Sequence, residues 1–199
     1  MIDIIKLNDS PPYEHFKSEY LKALDLDQEY IDAMLIASYS INNKEVDARY
    51  VNLKYINDRD FIFFTNYNSP KSKQFLSHKQ ITAVIFWSKL NIQIRIKGNV
   101  EKVSIDFSDK HFAKRDPKKN ALAISSNQSK KIDSYASVLK KYNNVLKDEK
   151  NLKKRPKYWG GYALKPTYFE FWSGDNHRIN HRKAYNYSNN KWTSNILEP

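Results

Sequence analysis

The densest cluster of reactive side chains lies in the run FWSGDNHRINHR, Phe171 to Arg182. Trp172 closes an apolar stretch, Ser173 to Asn176 reads as a turn, and His177, Arg178, His181 and Arg182 follow directly. Two His–Arg pairs suggest a metal, but the chain has no cysteine and the spacing offers no third ligand of the right reach, so a metal site is not expected. A basic, aromatic cleft for an anionic aromatic ligand suits these residue types better. Earlier in the chain, Arg49 and Lys54 end a strand-like segment on opposite faces. In Ser69-Pro70-Lys71-Ser72-Lys73 a full positive charge stands at a helix start, where free N–H groups and the helix dipole already favour phosphate. Gln93 and Arg95 alternate with Ile92, Ile94 and Ile96, and Gln128-Ser129 adds another polar pair. A glutamine amide both donates and accepts, as the edge of a flavin ring requires. Taken singly, each of these also has an ordinary reading as solvated surface. With only four glycines, no Walker loop or dinucleotide fingerprint is present, and there is no Ser-His-Asp elbow.

The elements that must carry these groups can be read from periodicity. Ser10-Pro11-Pro12 followed by Phe16, Tyr20, Leu21 and Leu24 predicts a helix over about 11–26. AMLIASYS, DARYVNLKYI and FIFFTN, separated by the polar turns INNKE and NDRD, predict an antiparallel meander. A short helix, KSKQFLSHK, comes next, and ITAVIFWS and IQIRIKGNVEKVS resume the sheet. SIDFSDKHFAKR and IDSYASVLKKYNNVLKDE are helical, the second with Ile132, Tyr135, Leu139, Tyr142 and Leu146 on one face. Two strand-like segments, YWGGYALKPTYFEFWSG and KAYNYSNNKWTSNIL, complete the chain. The expectation is one domain over 1–199, mainly β with helices (α+β), built as a small antiparallel barrel.

Composition sets further bounds. Of 199 residues, 40% are hydrophobic, and 34 basic against 22 acidic residues leave a net charge of +12. Nucleic acid, an anionic small molecule and a solvated lysine-rich surface all fit that excess; the run Lys147 to Lys157, mixed with Asp148 and Glu149, reads as solvated. The absence of cysteine suits a reducing cytoplasm. No basic flank and long apolar run mark the start as a secretory signal, and no apolar segment is long enough to span a bilayer, so no membrane partner is expected. No nucleic acid partner is expected either, because the most diagnostic basic residues are allocated to a ligand cleft.

In chain order, ARYVNLK, FFTNYNSPKSKQ, NIQIRIKG, SSNQSKKI and YWGGYALKPTYFEFWSGDNHRINHR resemble the motif series of the pyridoxamine 5'-phosphate oxidase family, from about residue 10 to the end. The resemblance implies a split β-barrel homodimer with flavin mononucleotide (FMN) in clefts at the subunit interface. It implies that Arg49 and Lys71 hold the FMN phosphate with Ser129 assisting. Lys54, Phe64, Thr65, Gln93, Gln128, Trp172 and Arg182 would also belong to the cofactor site, Phe64 through its backbone, since the family has tyrosine there. Pro70 stands where the family usually has a basic residue. On the substrate side, Lys54, Arg115 and Arg178 match family positions that contact the phosphorylated pyridine. His111 replaces a tyrosine, Lys119 a serine and Asn180 a histidine near the reacting carbon. Asn180 cannot titrate near neutral pH. Arg178 would place the substrate over the flavin. The implied reaction transfers hydride from pyridoxamine or pyridoxine 5'-phosphate to FMN, with reoxidation by oxygen to give pyridoxal 5'-phosphate and hydrogen peroxide. The altered substrate positions keep two alternatives open: a flavin oxidase of the phenazine-biosynthesis type, and an FMN-binding protein without catalysis.

Overall fold

Proline lacks a backbone N–H, so it costs least in the first turn of a helix, where those donors have no partner anyway. Helix α1 (Pro11–Asp25) begins on Pro11 and Pro12 in the computed structural model, which describes residues 1–199. Tyr13, Phe16, Tyr20 and Ala23 recur at helical spacing and are buried. Phe16 meets Phe61 edge-on at 5.0 Å between centroids and Tyr13 meets Phe169 at 5.3 Å, fixing α1 against the sheet. Each such ring stabilises the fold by roughly 1.5–3 kcal/mol through burial.

The strands are β1 (Asp3–Leu7), β2 (Ala33–Ser40), β3 (Glu45–Asp58), β4 (Asp60–Asn66), β5 (Gln80–Trp87), β6 (Ile92–Lys102), β7 (Trp159–Ser173), β8 (His181–Ser188) and β9 (Lys191–Ile196). All pairs are antiparallel except β1 with β3. The pairing β3-β2-β5-β6-β7 continues through β4, which bonds both β7 and β3, so these strands form a closed ring. Alternation sends Met34, Ile36, Leu53, Ile94 and Ile96 inward to one core. Helix α2 (Pro70–Ser77) follows β4, while α3 (Ile105–Lys114), α4 (Pro117–Ser125) and α5 (Tyr135–Leu146) fill the excursion between β6 and β7. No helix is long and apolar enough to cross a membrane.

Some elements differ from the sequence expectation. β1 was not expected: it is five residues long and its partner, Tyr55 opposite Asp3, lies far along the chain. α4 has little apolar periodicity, but Asp116 caps it by accepting from the N–H groups of Lys118 and Lys119, just before Pro117. The final strand-like segment is a hairpin, because Asn189 and Asn190 both adopt positive φ (49° and 61°) and turn the chain in two residues. Ser10 and Ser69 precede their helices without side-chain capping bonds. The predicted apolar face of α5 buries no residue within the chain: Tyr135 and Leu139 are exposed.

Candidate active site

A bulge in β3 sets the first part of the site. Strict alternation from Val51 and Leu53 would turn Tyr55 inward; the register shift between Leu53 and Tyr55 gives that core position to Ile56 instead. Lys54 and Tyr55 are both left half-buried. Lys54 lines a cavity of about 360 Å³ together with Phe64, Thr65, Lys71, His111, Arg115, Lys119 and Gln128, so eight of the residues singled out in the sequence converge here. Trp159, Asn52 and Tyr50 also line it. Trp159 had a visible signal, the WGG motif, but no role; the part played by Tyr55 depends on the bulge, which no periodicity reveals.

The electrostatics of this cavity favour an anion. Lys71 is 6% exposed; its ammonium lies 3.0 Å from the Thr65 hydroxyl, and no carboxylate is within ion-pair distance. Burial, with the charge of Arg49 adding to it, pushes its pKa down to about 8. A buried cation without a counter-charge, at the start of α2, is the arrangement a phosphate would satisfy. Arg49 itself is held by Asp47, Ser38 and Gln74, close beside Lys71 rather than lining the cavity. Lys54 pairs with Asp32. Arg115 lies over the Trp159 ring at 5.1 Å and donates to Asn120. His111 stacks on Phe64 at 3.7 Å, and burial followed by the charges of Arg115 and Lys54 pushes its pKa down to about 4.

A second group of candidates lies elsewhere. Gln93 is directly opposite Trp172, and Trp172 is directly opposite Arg182, so the three form one row across β6, β7 and β8. Trp172, Asn180 and Arg182 line a separate cavity of about 680 Å³. Arg182 donates through Nε and an Nη to Glu170, which is 3% exposed and also receives Arg95 and the Tyr168 hydroxyl. Burial raises the Glu170 pKa, but these donors outweigh it and hold the carboxyl below its ordinary range. Arg178 sits in the β7–β8 loop at φ 65°, exposed; positive φ is uncommon for a non-glycine residue. Ser129, at φ 64°, lines a different surface pocket from its neighbour Gln128. Arg49, Gln93, Ser129 and Arg178 are therefore the candidates that line neither main cavity, Gln93 lying beside the second one through its pairing with Trp172.

The two groups stand at opposite ends of β7: Trp159 begins the strand in one cavity and Trp172 nears its end in the other. Fifteen residues of strand span roughly 45 Å of contour, longer than a mononucleotide.

This is an α+β protein dominated by antiparallel strands, with a cleft whose charge suits a phosphorylated ligand. Residues 25–147 match the family described as pyridoxamine 5'-phosphate oxidase, and residues 159–199 match the pyridoxine 5'-phosphate oxidase C-terminal dimerisation region. The chain belongs to the pyridoxamine 5'-phosphate oxidase family. It is 34% identical over 188 residues to a pyridoxine/pyridoxamine 5'-phosphate oxidase of Thermosynechococcus vestitus (94% of this chain, 89% of the relative). It is 36% identical over 194 residues to one of Cyanothece (96% and 90%). Among solved structures, PhzG from Burkholderia lata in complex with tetrahydrophenazine-1-carboxylic acid superposes with a TM-score of 0.88 at 23% identity, covering 96% of this chain and 93% of that one. A pyridoxamine 5'-phosphate oxidase-related, FMN binding protein from Nostoc punctiforme gives 0.79 at 12% identity, covering 96% and 99%.

Proposed function

We propose that the protein is an FMN-dependent oxidase of pyridoxamine and pyridoxine 5'-phosphate, working as a split-barrel homodimer in the cytoplasm. The observation that carries the reading is Lys71, a buried cation without a carboxylate at the head of α2. Bound FMN would supply a two-electron acceptor for hydride from the carbon bearing the substrate amine or alcohol, with the electrons passing on to oxygen as peroxide. Lys71 and Arg49 would hold the cofactor phosphate, each charge-assisted bond contributing about 1.5–3 kcal/mol. Thr65, Gln128 and Ser129, with the Phe64 backbone, would complete that side. The row Gln93–Trp172–Arg182 from a second copy would cover the ring, since one chain keeps it at the far end of β7. The exposed Tyr50 and Phe86 and the apolar face of α5 support burial against that copy.

Lys54, Arg115, Lys119 and His111 would receive the substrate anion, and Arg178 and Asn180, carried on the β7–β8 loop, would orient the reacting end. Purified protein should be yellow and release peroxide with pyridoxamine 5'-phosphate. Arg178→Ala should remain yellow while losing at least about tenfold in turnover, as the loss of one charge-assisted contact requires. Peroxide release only with a tetrahydrophenazine carboxylate would move the assignment to phenazine chemistry. A yellow protein inert toward every substrate would be an FMN-binding protein without catalysis.

A further inference from the structure

His111 is the one imidazole in the cation-lined cavity, and its surroundings define it tightly. Its ring lies parallel to Phe64 (10° between planes, 3.7 Å between centroids) and to Trp159 (7°, 6.0 Å). Tyr55 meets the ring edge-on, at 85°, with its hydroxyl oxygen 2.9 Å from Nδ1. That is the only protein hydrogen bond to this imidazole, so Nε2 has no partner within the chain. Tyr55 is placed there by the β3 bulge that also leaves Lys54 half-buried at the cavity.

The direction of the proton follows from the chemistry of the two groups. A phenol O–H is a better donor than a neutral imidazole N–H, and an imidazole nitrogen is a better acceptor than a phenol oxygen. Tyr55 remains a phenol, because burial, helped by Asp3, pushes its pKa up. His111 remains neutral near pH 7, because burial and the charges of Arg115 and Lys54 disfavour imidazolium. The hydroxyl therefore donates to Nδ1, and the imidazole proton resides on Nε2.

We infer that Tyr55 is a positioning residue: by donating to Nδ1 it locks His111 as a neutral Nε2–H tautomer and presents that N–H, beside Arg115 and Lys119, to the anionic group of the substrate. The inference rests on the reading of this cavity as the substrate's anion site. It names a residue outside the expected set and explains how histidine works where the family carries tyrosine: the donor role moves from a hydroxyl to an N–H that a second-layer phenol must orient. A neutral donor also avoids adding a further charge to a cavity already holding Lys54, Lys71, Arg115 and Lys119.

The test uses the FMN-loaded protein labelled with 15N-histidine at neutral pH, with the His111 signals identified by their loss in His111→Gln. The expected spectrum has Nδ1 unprotonated and Nε2 protonated, and the Nε2–H resonance moves when pyridoxal 5'-phosphate is added. A protonated Nδ1, or an Nε2–H indifferent to that ligand, overturns the inference. Tyr55→Phe should weaken pyridoxal 5'-phosphate binding, read by tryptophan quenching, about three- to tenfold, the worth of one hydrogen bond. The same change in a His111→Tyr background should have no effect; an equal loss in both backgrounds would also overturn it. With turnover, the wild-type-background loss should appear in KM and leave kcat nearly unchanged. The spectroscopic and binding readouts need no oxidation, so an absence of peroxide release would sink the oxidase reading while this inference is decided separately.

Discussion

The ammonium of Lys71 lies 3.0 Å from the hydroxyl of Thr65 and faces no carboxylate. Its pKa falls from 10.5 unfolded to about 8 folded. Between those values the unfolded chain binds more protons, so stability without ligand rises with pH from about 8 to about 10.5. Below pH 8 the full penalty applies, roughly 3 kcal/mol. Lys71→Met should remove that rise and be at least as stable as the wild type near neutral pH. Urea unfolding of both ligand-free proteins at several pH values measures the difference, and parallel pH profiles would refute the prediction. The same variant should bind FMN about 10- to 100-fold more weakly.

If Lys71 of one copy and Arg182 of the other complete each site, two inactive variants should rescue one another. A mixed dimer of Lys71→Met and Arg182→Ala chains holds one site with both changes and one with neither. Co-refolding equal amounts should restore about a quarter of wild-type sites by random pairing. No recovery of flavin binding or turnover would place the whole site within one chain.

The buried Glu170 carboxylate is shared by three partly exposed donors, Arg95, Arg182 and Tyr168. Glu170→Ala leaves two arginines without their carboxylate and should cost about 2–4 kcal/mol, read by thermal unfolding. Because its folded pKa is depressed, the carboxylate contributes stability above its unfolded value of 4.5, and that contribution is lost as pH falls through the lower folded value. Glu170→Gln should therefore lose less stability than the wild type on acidification below about pH 4.5. An unchanged acid slope would count against the network.

Gly98 stands where β6 shifts register against β7, and a Cβ there would come within 2.1 Å of the Lys165 carbonyl oxygen. The obstacle is backbone, so it cannot swing aside. Gly98→Ala should cost about 2–3 kcal/mol and lower Tm by roughly 5–10 °C. A variant as stable as the wild type would show that the bulge can relax.

Much of this protein is legible in residue order alone. Helix α1 is marked by Pro11 and Pro12 and by the spacing of Phe16 and Tyr20, and β2 to β7 by alternation, because these signals are local and repeat along the chain. The same local signals marked Lys71 at a helix start and Gln93 on an alternating strand. The order of the motifs carried the family, and the family matches bear it out. What residue order could not supply depends on contacts between distant segments. The parallel pairing of β1 with β3 and the closure of the strand ring through β4 are set by partners far apart in sequence. The β3 bulge that brings Tyr55 to His111 is a mismatch between two strands and leaves no mark on either one. Tertiary structure alone also divided the candidate residues between the two ends of β7, because the reach of a strand becomes a constraint only once both ends have a place in space.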